Sequence, residues 1–148
     1  MITPILPELA LEMLNKFKGM TYKMWEMTDV KVEEYLLEDA QYVVVAYGIA
    51  ARVSKNAIVE ARKQGIKVGL IRPITLWPFP KAPFEKIANT AKAVISVELS
   101  MGQMIEDVKL ATQCKVPVTL CNRVGGMIPS PEQVLEAIIE ADKNGGAN

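Results

Sequence analysis

Four short runs of apolar, β-branched residues recur along the chain, and segments with helical spacing separate them. The runs occupy residues 42–46, 67–71, 93–97 and, less strongly, 116–121. Unbroken runs of this kind are typical of strands that are buried on both faces of a sheet. Apolar residues recur at helical spacing in segments 50–64, 83–91, 103–112 and 131–139. Because parallel strands need helical crossovers, this alternation predicts an α/β fold, a three-layer α/β/α sandwich with a mostly parallel sheet.

The first thirty residues follow a different pattern. One apolar stripe at helical spacing predicts an amphipathic helix, formed by Leu6, Leu9, Ala10, Met13, Leu14 and Phe17. Residues 30–33 then alternate apolar with charged side chains, which is typical of an edge strand with one face in solvent. We therefore divide the chain into an N-terminal helical arm, 1–29, and an α/β domain, 30–148.

The composition excludes several classes of function. Seventeen basic residues balance seventeen acidic ones, so the bulk charge attracts neither nucleic acid nor an anionic membrane surface. Without histidine, the chain lacks the usual general base and the commonest nitrogen ligand of zinc, and we predict no metal site. The two cysteines, Cys114 and Cys121, are expected to be reduced thiols in a cytoplasmic protein.

Polar residues follow the four predicted parallel strands at the edge where ligands of open α/β sheets collect. They are Gly48, Arg52, Arg72, Glu98 and Arg123. Three arginines on one rim favour a site for phosphate or carboxylate. The interpretation that we favour for Glu98 is a structural network in which it pairs with Arg72 or Arg123, since ion pairs of this kind also cluster at such edges. Cys121 also ends a strand, but without a histidine to activate it we do not expect a nucleophile.

A proline-rich segment, residues 72–80, carries Trp77 and Phe79 on a stiff loop. These aromatic side chains either cover the local core or anchor a partner. Both interpretations stay open at the level of the sequence.

Three stretches carry a specific combination of motifs. They are Val-Ala-Tyr-Gly at 45–48 with Ala-Arg at 51–52, the segment 72–80, and Glu-Leu-Ser-Met-Gly-Gln at 98–103 followed by Asn-Arg-Val-Gly-Gly-Met-Ile-Pro-Ser at 122–130. In this order they resemble the C-terminal domain of the α subunit of 2-oxoacid:ferredoxin oxidoreductases, especially the 2-oxoisovalerate type. Glu98, Gly102, Gln103 and Arg123 match the family pattern, whereas Ser100 stands where the family usually has asparagine.

The resemblance implies a transketolase C-terminal-like fold with an antiparallel edge strand. For the complete enzyme it implies thiamine diphosphate, magnesium, iron–sulfur clusters, coenzyme A and ferredoxin. This chain matches only the last portion of such a subunit, so we expect it to bind none of these cofactors and to be inactive alone.

Our leading hypothesis is therefore a non-catalytic assembly domain whose carboxyl-edge residues, including Gln103, and aromatic loop contact other domains or subunits. A homodimer is also compatible with the pattern. The alternative is a small module that binds an anion or coenzyme A through Arg52, Arg72 and Arg123.

Overall fold

The computed structural model describes residues 7–145, with side chains from Ala10 onward. The elements are, in chain order, α1 (Pro7–Thr28), β1 (Val32–Tyr35), β2 (Tyr42–Val45), α2 (Gly48–Lys63), β3 (Val68–Pro73), α3 (Ala82–Ile87), β4 (Ala93–Glu98), α4 (Met104–Ala111), β5 (Val118–Asn122) and α5 (Pro131–Lys143). Leu6, part of the predicted apolar stripe, lies outside the described residues.

The five strands form one sheet in the order β1-β3-β2-β4-β5. Strands β2 to β5 are parallel to one another, and β1 pairs antiparallel with β3 at the edge. This arrangement confirms the predicted fold class. The edge strand begins two residues later than predicted, because Lys31 bonds to Ile74 and Thr75 beyond the end of the ladder.

Side chains alternate along β2 between the two faces of the sheet, as the pleat requires. Tyr42 and Val44 pack in the core layer that contains α2 and α5. Val43 and Val45 pack in the opposite layer, with Phe84 of α3 and residues of α4. The core therefore consists of two apolar layers, one on each side of a central sheet.

Two helix boundaries show how local signals act. Ser130 and Gln133 form a reciprocal capping box: the Ser130 hydroxyl accepts from the Gln133 amide at 3.3 Å, and Gln133 Oε1 accepts from the Ser130 amide at 3.1 Å. Helix α1 continues through Gly19 to Thr28, which fixes an end that the sequence left open. Among residues 7–145, none of the helices combines the length and the apolar composition that crossing a bilayer requires.

Candidate functional site

The carboxyl ends of β2, β3, β4 and β5 share one edge of the sheet, because the four strands run in the same direction. Gly48 at the start of α2, Arg72 and Glu98 at the ends of β3 and β4, and Arg123 directly after β5 all lie at this edge. Gly48 opens α2 with a φ of +57°, a backbone conformation that favours glycine. The predicted grouping at one edge is therefore present, and the partners of each side chain decide what it can do.

Arg72 is held by the edge strand. Its Nη1 donates to Glu33 Oε2 at 2.8 Å, and Lys55 donates to the other oxygen of the same carboxylate. These two hydrogen bonds outweigh burial and keep the pKa of Glu33 below its ordinary value. Glu33 was not among the predicted site residues, although antiparallel pairing of the alternating 30–33 segment places it directly opposite Arg72.

A small cleft of about 110 Å³ lies beside this ion pair. It is lined by Gly48, Ala51, Arg52, Lys55 and Arg72. Of its three cationic side chains, Lys55 and Arg72 share one carboxylate, and Arg52 is exposed in the first turn of α2. The cleft is thus a cationic pocket whose charge Glu33 partly neutralises.

Arg123 lies apart from this cleft. It follows β5, whereas Arg72 belongs to β3, and β2 and β4 lie between these two strands. Three strand spacings separate them by about 14 Å. The Arg123 Nε donates to Gln133 Oε1 at 3.2 Å. The prediction of one anion site formed by all three arginines is therefore wrong: Arg52 and Arg72 share a cleft, whereas Arg123 binds the side chain of Gln133 farther along the same edge.

Glu98 has a different role from the one predicted. Its side chain is 1% exposed, and its partners are hydroxyl groups and backbone amides. Oε1 accepts from the Ser96 hydroxyl and the Ile105 amide, each at 2.8 Å. Oε2 accepts from the Ser100 hydroxyl at 2.7 Å, the Gln103 amide at 2.8 Å and the Met104 amide at 3.0 Å. The expected pairing of Glu98 with an arginine is wrong.

The amides that bind Glu98 belong to the first turn of α4, where unpaired N–H groups and the helix dipole favour negative charge. Burial alone raises the pKa of Glu98. Hydrogen bonds from Ser100, Ser96 and the backbone amides of Met104 and Ile105 lower this pKa by more than burial raises it. The net effect is a pKa below the ordinary value of this carboxyl group. Glu98 is therefore an ionised side chain that joins the end of β4 to the start of α4.

The loop between β4 and α4 is fixed by these bonds. Ser100 stands where the family that this chain resembles usually has asparagine. Its hydroxyl donates to Glu98, and its backbone carbonyl accepts from Asn122 Nδ2 at 2.6 Å. Gln103 contributes only its backbone amide to Glu98, and its side chain is exposed. Its predicted role in binding or contact stays a prediction.

Large apolar side chains are exposed at the same edge, on the loops that follow β2, β4 and β5 and on the first turn of α2. We call them the carboxyl-edge patch: Tyr47, Ile49, Leu99, Met101, Val124, Met127 and Ile128. Met101 is 80% exposed and Met127 is 61% exposed. These apolar residues are not among the predicted site residues, which are mostly charged or polar. No local signal marks them, because an apolar residue in a loop has the same sequence pattern whether its side chain is buried or exposed.

The two aromatic residues of the proline-rich loop have separate surroundings. Phe79 is buried and stacks on Phe84 with ring centroids 5.2 Å apart. Trp77 is 67% exposed and meets Tyr22 and Trp25 of α1 edge-on, at 4.9 Å and 5.7 Å. Phe79 thus covers the core, whereas Trp77 is the contact point of the N-terminal helix.

Cys121 lies in β5, and burial raises the pKa of its thiol, an effect that nearby Arg123 only partly offsets. A raised thiol pKa lowers the fraction of reactive thiolate at neutral pH. The surroundings of Cys121 therefore do not activate it as a nucleophile.

Comparisons with known proteins agree with the motifs. The sequence model of one protein family, pyruvate:ferredoxin oxidoreductase core domain II, matches residues 40–134. A ketoisovalerate oxidoreductase subunit, VorB of Methanothermobacter marburgensis, is 47% identical over 130 residues, which are 88% of this chain and 37% of that subunit. The chain belongs to the 2-oxoacid:ferredoxin oxidoreductase family.

Solved structures support the same fold. A 2-oxoglutarate:ferredoxin oxidoreductase from Magnetococcus marinus matches 91% of this chain and 23% of its own with a TM-score of 0.76 and 24% identity. A split-gene transketolase matches 74% of this chain and 41% of its own with a TM-score of 0.62 and 18% identity. The transketolase-like fold predicted for this family member is therefore confirmed. The chain spans little more than a third of the VorB subunit.

Proposed function

We propose that this chain is the assembly domain of a ketoisovalerate:ferredoxin oxidoreductase, which contacts the catalytic domains and performs no chemistry by itself. The observation that carries the proposal is the 47% identity to a ketoisovalerate oxidoreductase subunit over 88% of this chain. The chain spans 37% of that subunit. In this proposal, the substrate is a branched-chain 2-oxoacid, and the complete enzyme works in the cytoplasm.

The carboxyl-edge patch supports an assembly role. Three loops that leave one edge of the sheet expose apolar side chains, and exposed apolar surface of this kind marks contact sites for other proteins. The buried carboxylate of Glu98 holds the β4–α4 loop in place, so the part of the patch formed by Leu99 and Met101 is preformed. A preformed surface loses little conformational entropy when it binds.

The cofactors belong, in this proposal, to the remaining parts of the complete enzyme. An iron–sulfur cluster of the usual type needs four cysteine thiolates, whereas the sequence has two cysteines. Within residues 7–145, no three His, Cys, Asp or Glu side chains are grouped to hold a metal ion. Iron–sulfur clusters and magnesium are therefore assigned to the other domains and subunits. Thiamine diphosphate and coenzyme A are assigned there on the family resemblance, with ferredoxin as electron acceptor.

A domain exchange tests the proposal. The 148-residue chain replaces the segment to which it aligns in the VorB subunit of Methanothermobacter marburgensis, and the exchanged subunit is expressed with the other subunits of that enzyme. We expect the complex to assemble and to reduce ferredoxin with ketoisovalerate, and we expect the isolated chain to show no turnover. A complex that assembles but has no activity contradicts a domain that serves assembly alone, and one that does not assemble contradicts the assembly role.

Matched variants locate the contact. Met101→Glu in the carboxyl-edge patch is expected to weaken assembly by about tenfold or more, because it places a charge in a buried apolar contact. Val59→Glu is the control, since Val59 is 43% exposed on α2, outside the patch. Equal assembly of both variants contradicts a role of the patch.

A second candidate function is binding of an anion, such as a phosphate group of coenzyme A, in the cleft of Arg52, Lys55 and Arg72. The grouping of three cationic side chains favours it, and the carboxylate of Glu33 opposes it. Calorimetry with coenzyme A tests this candidate. Saturable binding that Arg52→Ala removes and Arg123→Ala leaves unchanged supports it, and heats equal to dilution contradict it.

A further inference from the structure

Helix α1 extends well beyond the part of it that contacts the α/β domain. Its contacts with the proline-rich loop lie near its carboxyl end: Tyr22 and Trp25 meet Trp77, and Glu26 binds Lys81 at 2.6 Å. Every residue from Ala10 to Met20 is exposed. Most of the stability of a helix in a protein comes from packing of its apolar face, so the exposed half of α1 lacks its main source of stability.

The exposed side of α1 carries a regular apolar row, which we call the seam. Its members are Met13, Phe17, Met20, Met24 and Met27. They follow one another in alternate steps of four and three residues, the spacing by which one helix packs against another. Each is between 59% and 86% exposed. Methionine side chains adapt to irregular partner surfaces, so the seam is suited to a contact between proteins.

The seam and the domain contact lie on opposite sides of the helix. Successive residues of a helix turn by about 100°, which places Tyr22, Trp25 and Glu26 on one side and the seam on the other. The exposure values agree: Tyr22 and Glu26 are half-buried, whereas Phe17 and Met24 are 69% and 63% exposed. The seam is therefore available while α1 remains docked on Trp77.

The charges beside the seam indicate its partner. Lys16 and Lys23, seven residues apart, flank it on one side. In an antiparallel pair of two copies, Lys16 of one copy would face Lys23 of the other, which is repulsive. In a parallel pair, these lysines would face Thr21 and Thr28, which offer no charge. A groove with carboxylates along one side fits the lysines in either direction.

The similarity to VorB indicates where such a groove belongs. The alignment leaves 18 of the 148 residues unmatched, so it reaches at least from residue 19 to residue 130. The carboxyl half of α1 therefore has a counterpart in VorB, where the matched segment makes up 37% of the subunit. The VorB polypeptide thus contains a large part outside the matched segment, and this part offers further surface for contacts.

We propose that the seam of α1 packs into an apolar groove, flanked by carboxylates, on the part of the oxidoreductase subunit that lies outside this domain. The inference rests on the proposed function, because it takes the occupant from the same enzyme. It assigns α1 as the element that attaches the domain to the remainder of the subunit, in addition to the carboxyl-edge patch.

Hydrogen exchange on the complete enzyme tests this inference. The samples are the isolated chain and the assembled complex that contains the exchanged VorB subunit. Amides of residues 10–20 are expected to exchange at least about 100-fold more slowly in the complex, because packing of the seam suppresses local opening. Phe17→Glu is expected to remove most of this protection, and Lys16→Glu together with Lys23→Glu to reduce it.

Leu11→Glu is the matched control, since Leu11 is 58% exposed but lies outside the seam. In the complex that carries this variant, amides of residues 10–20 are expected to be protected as strongly as in the unaltered complex. Equal exchange of residues 10–20 in an active complex and in the isolated chain overturns the inference and leaves the proposed function standing. A complex that does not assemble overturns both. Sedimentation that shows the isolated chain as a dimer, dissociated by Phe17→Glu, assigns the seam to a second copy and also overturns the inference.

Discussion

Glu98→Gln is expected to lower the free energy of unfolding by about 3 kcal/mol, the upper end of the cost of leaving a buried hydrogen-bond donor without its partner. Both carboxylate oxygens accept from backbone N–H groups: Oε1 from Ile105, and Oε2 from Gln103 and Met104. A glutamine places an NH₂ group against one of these donors in either orientation of its amide. A buried donor then loses its partner, although the shape of the side chain is kept.

Chemical denaturation of the unaltered protein and of Glu98→Gln measures this difference in the free energy of unfolding. Glu106→Gln is the control, because Glu106 lies in the first turn of α4, beside the amides that bind Glu98, but is exposed and pairs with Lys109 at the surface. Its cost is expected to stay within about 0.5 kcal/mol. Equal stability of the Glu98 and Glu106 variants would show that the buried hydrogen bonds do not hold the loop.

The effect of Glu98 has a defined pH dependence. Its folded-state pKa lies below the ordinary value of 4.5, so ionised Glu98 stabilises the folded protein fully above that value. The contribution is lost as the pH falls through the lowered folded-state pKa. The gap in unfolding free energy between the unaltered protein and Glu98→Gln is therefore constant near neutral pH and shrinks in acid. A gap that widens below pH 4.5 contradicts this sign.

Gly69→Ala is expected to destabilise the domain by about 3 kcal/mol, at the upper end of the usual cost of overpacking. A Cβ atom at Gly69 would lie 2.5 Å from the Leu36 carbonyl oxygen and 2.8 Å from Leu37 Cδ2. The Leu36 carbonyl cannot move freely, because Arg62 Nη2 donates to it at 2.8 Å. The clash therefore pushes the end of β1 away from β3.

Thermal unfolding and hydrogen exchange of residues 32–35 measure this change together. Gly19→Ala is the matched control, because a Cβ atom there meets nothing within 4 Å and Gly19 lies in the exposed part of α1. Alanine is favoured over glycine in a helix by about 0.5–1 kcal/mol, so the control is expected to leave global unfolding unchanged or to raise helicity slightly. Unaltered exchange of β1 in Gly69→Ala would contradict the close approach.

Much of the fold follows from local patterns. The apolar runs at 42–46 and 93–97 predicted buried strands. A strand whose two faces are both buried needs apolar side chains at every position. The helical segment predicted from residue 131 begins at Pro131, because both hydrogen bonds of the Ser130–Gln133 capping box are made within one turn. The edge strand was identified from its alternating pattern, although its start was placed two residues early.

The candidate site was predicted less completely. The sequence placed Arg72, Glu98 and Arg123 at one edge, because parallel strands end together. It did not reveal their partners, since Arg72 binds Glu33 from a strand 39 residues away and Glu98 binds the start of the following helix. It also missed the carboxyl-edge patch, because an apolar residue in a loop has the same local signature whether it is buried or exposed.

The sequence by itself determined the fold class, the parallel direction of four strands, and the family, because hydrophobic period, helix caps and motif order are local properties of the chain. Only the tertiary structure decided that Glu98 is a buried link and not part of an ion pair, that Arg123 stands apart from Arg72, and that the seam of α1 faces away from the domain. These features depend on strand order and on which surfaces meet, and both are set by contacts between residues far apart in the sequence.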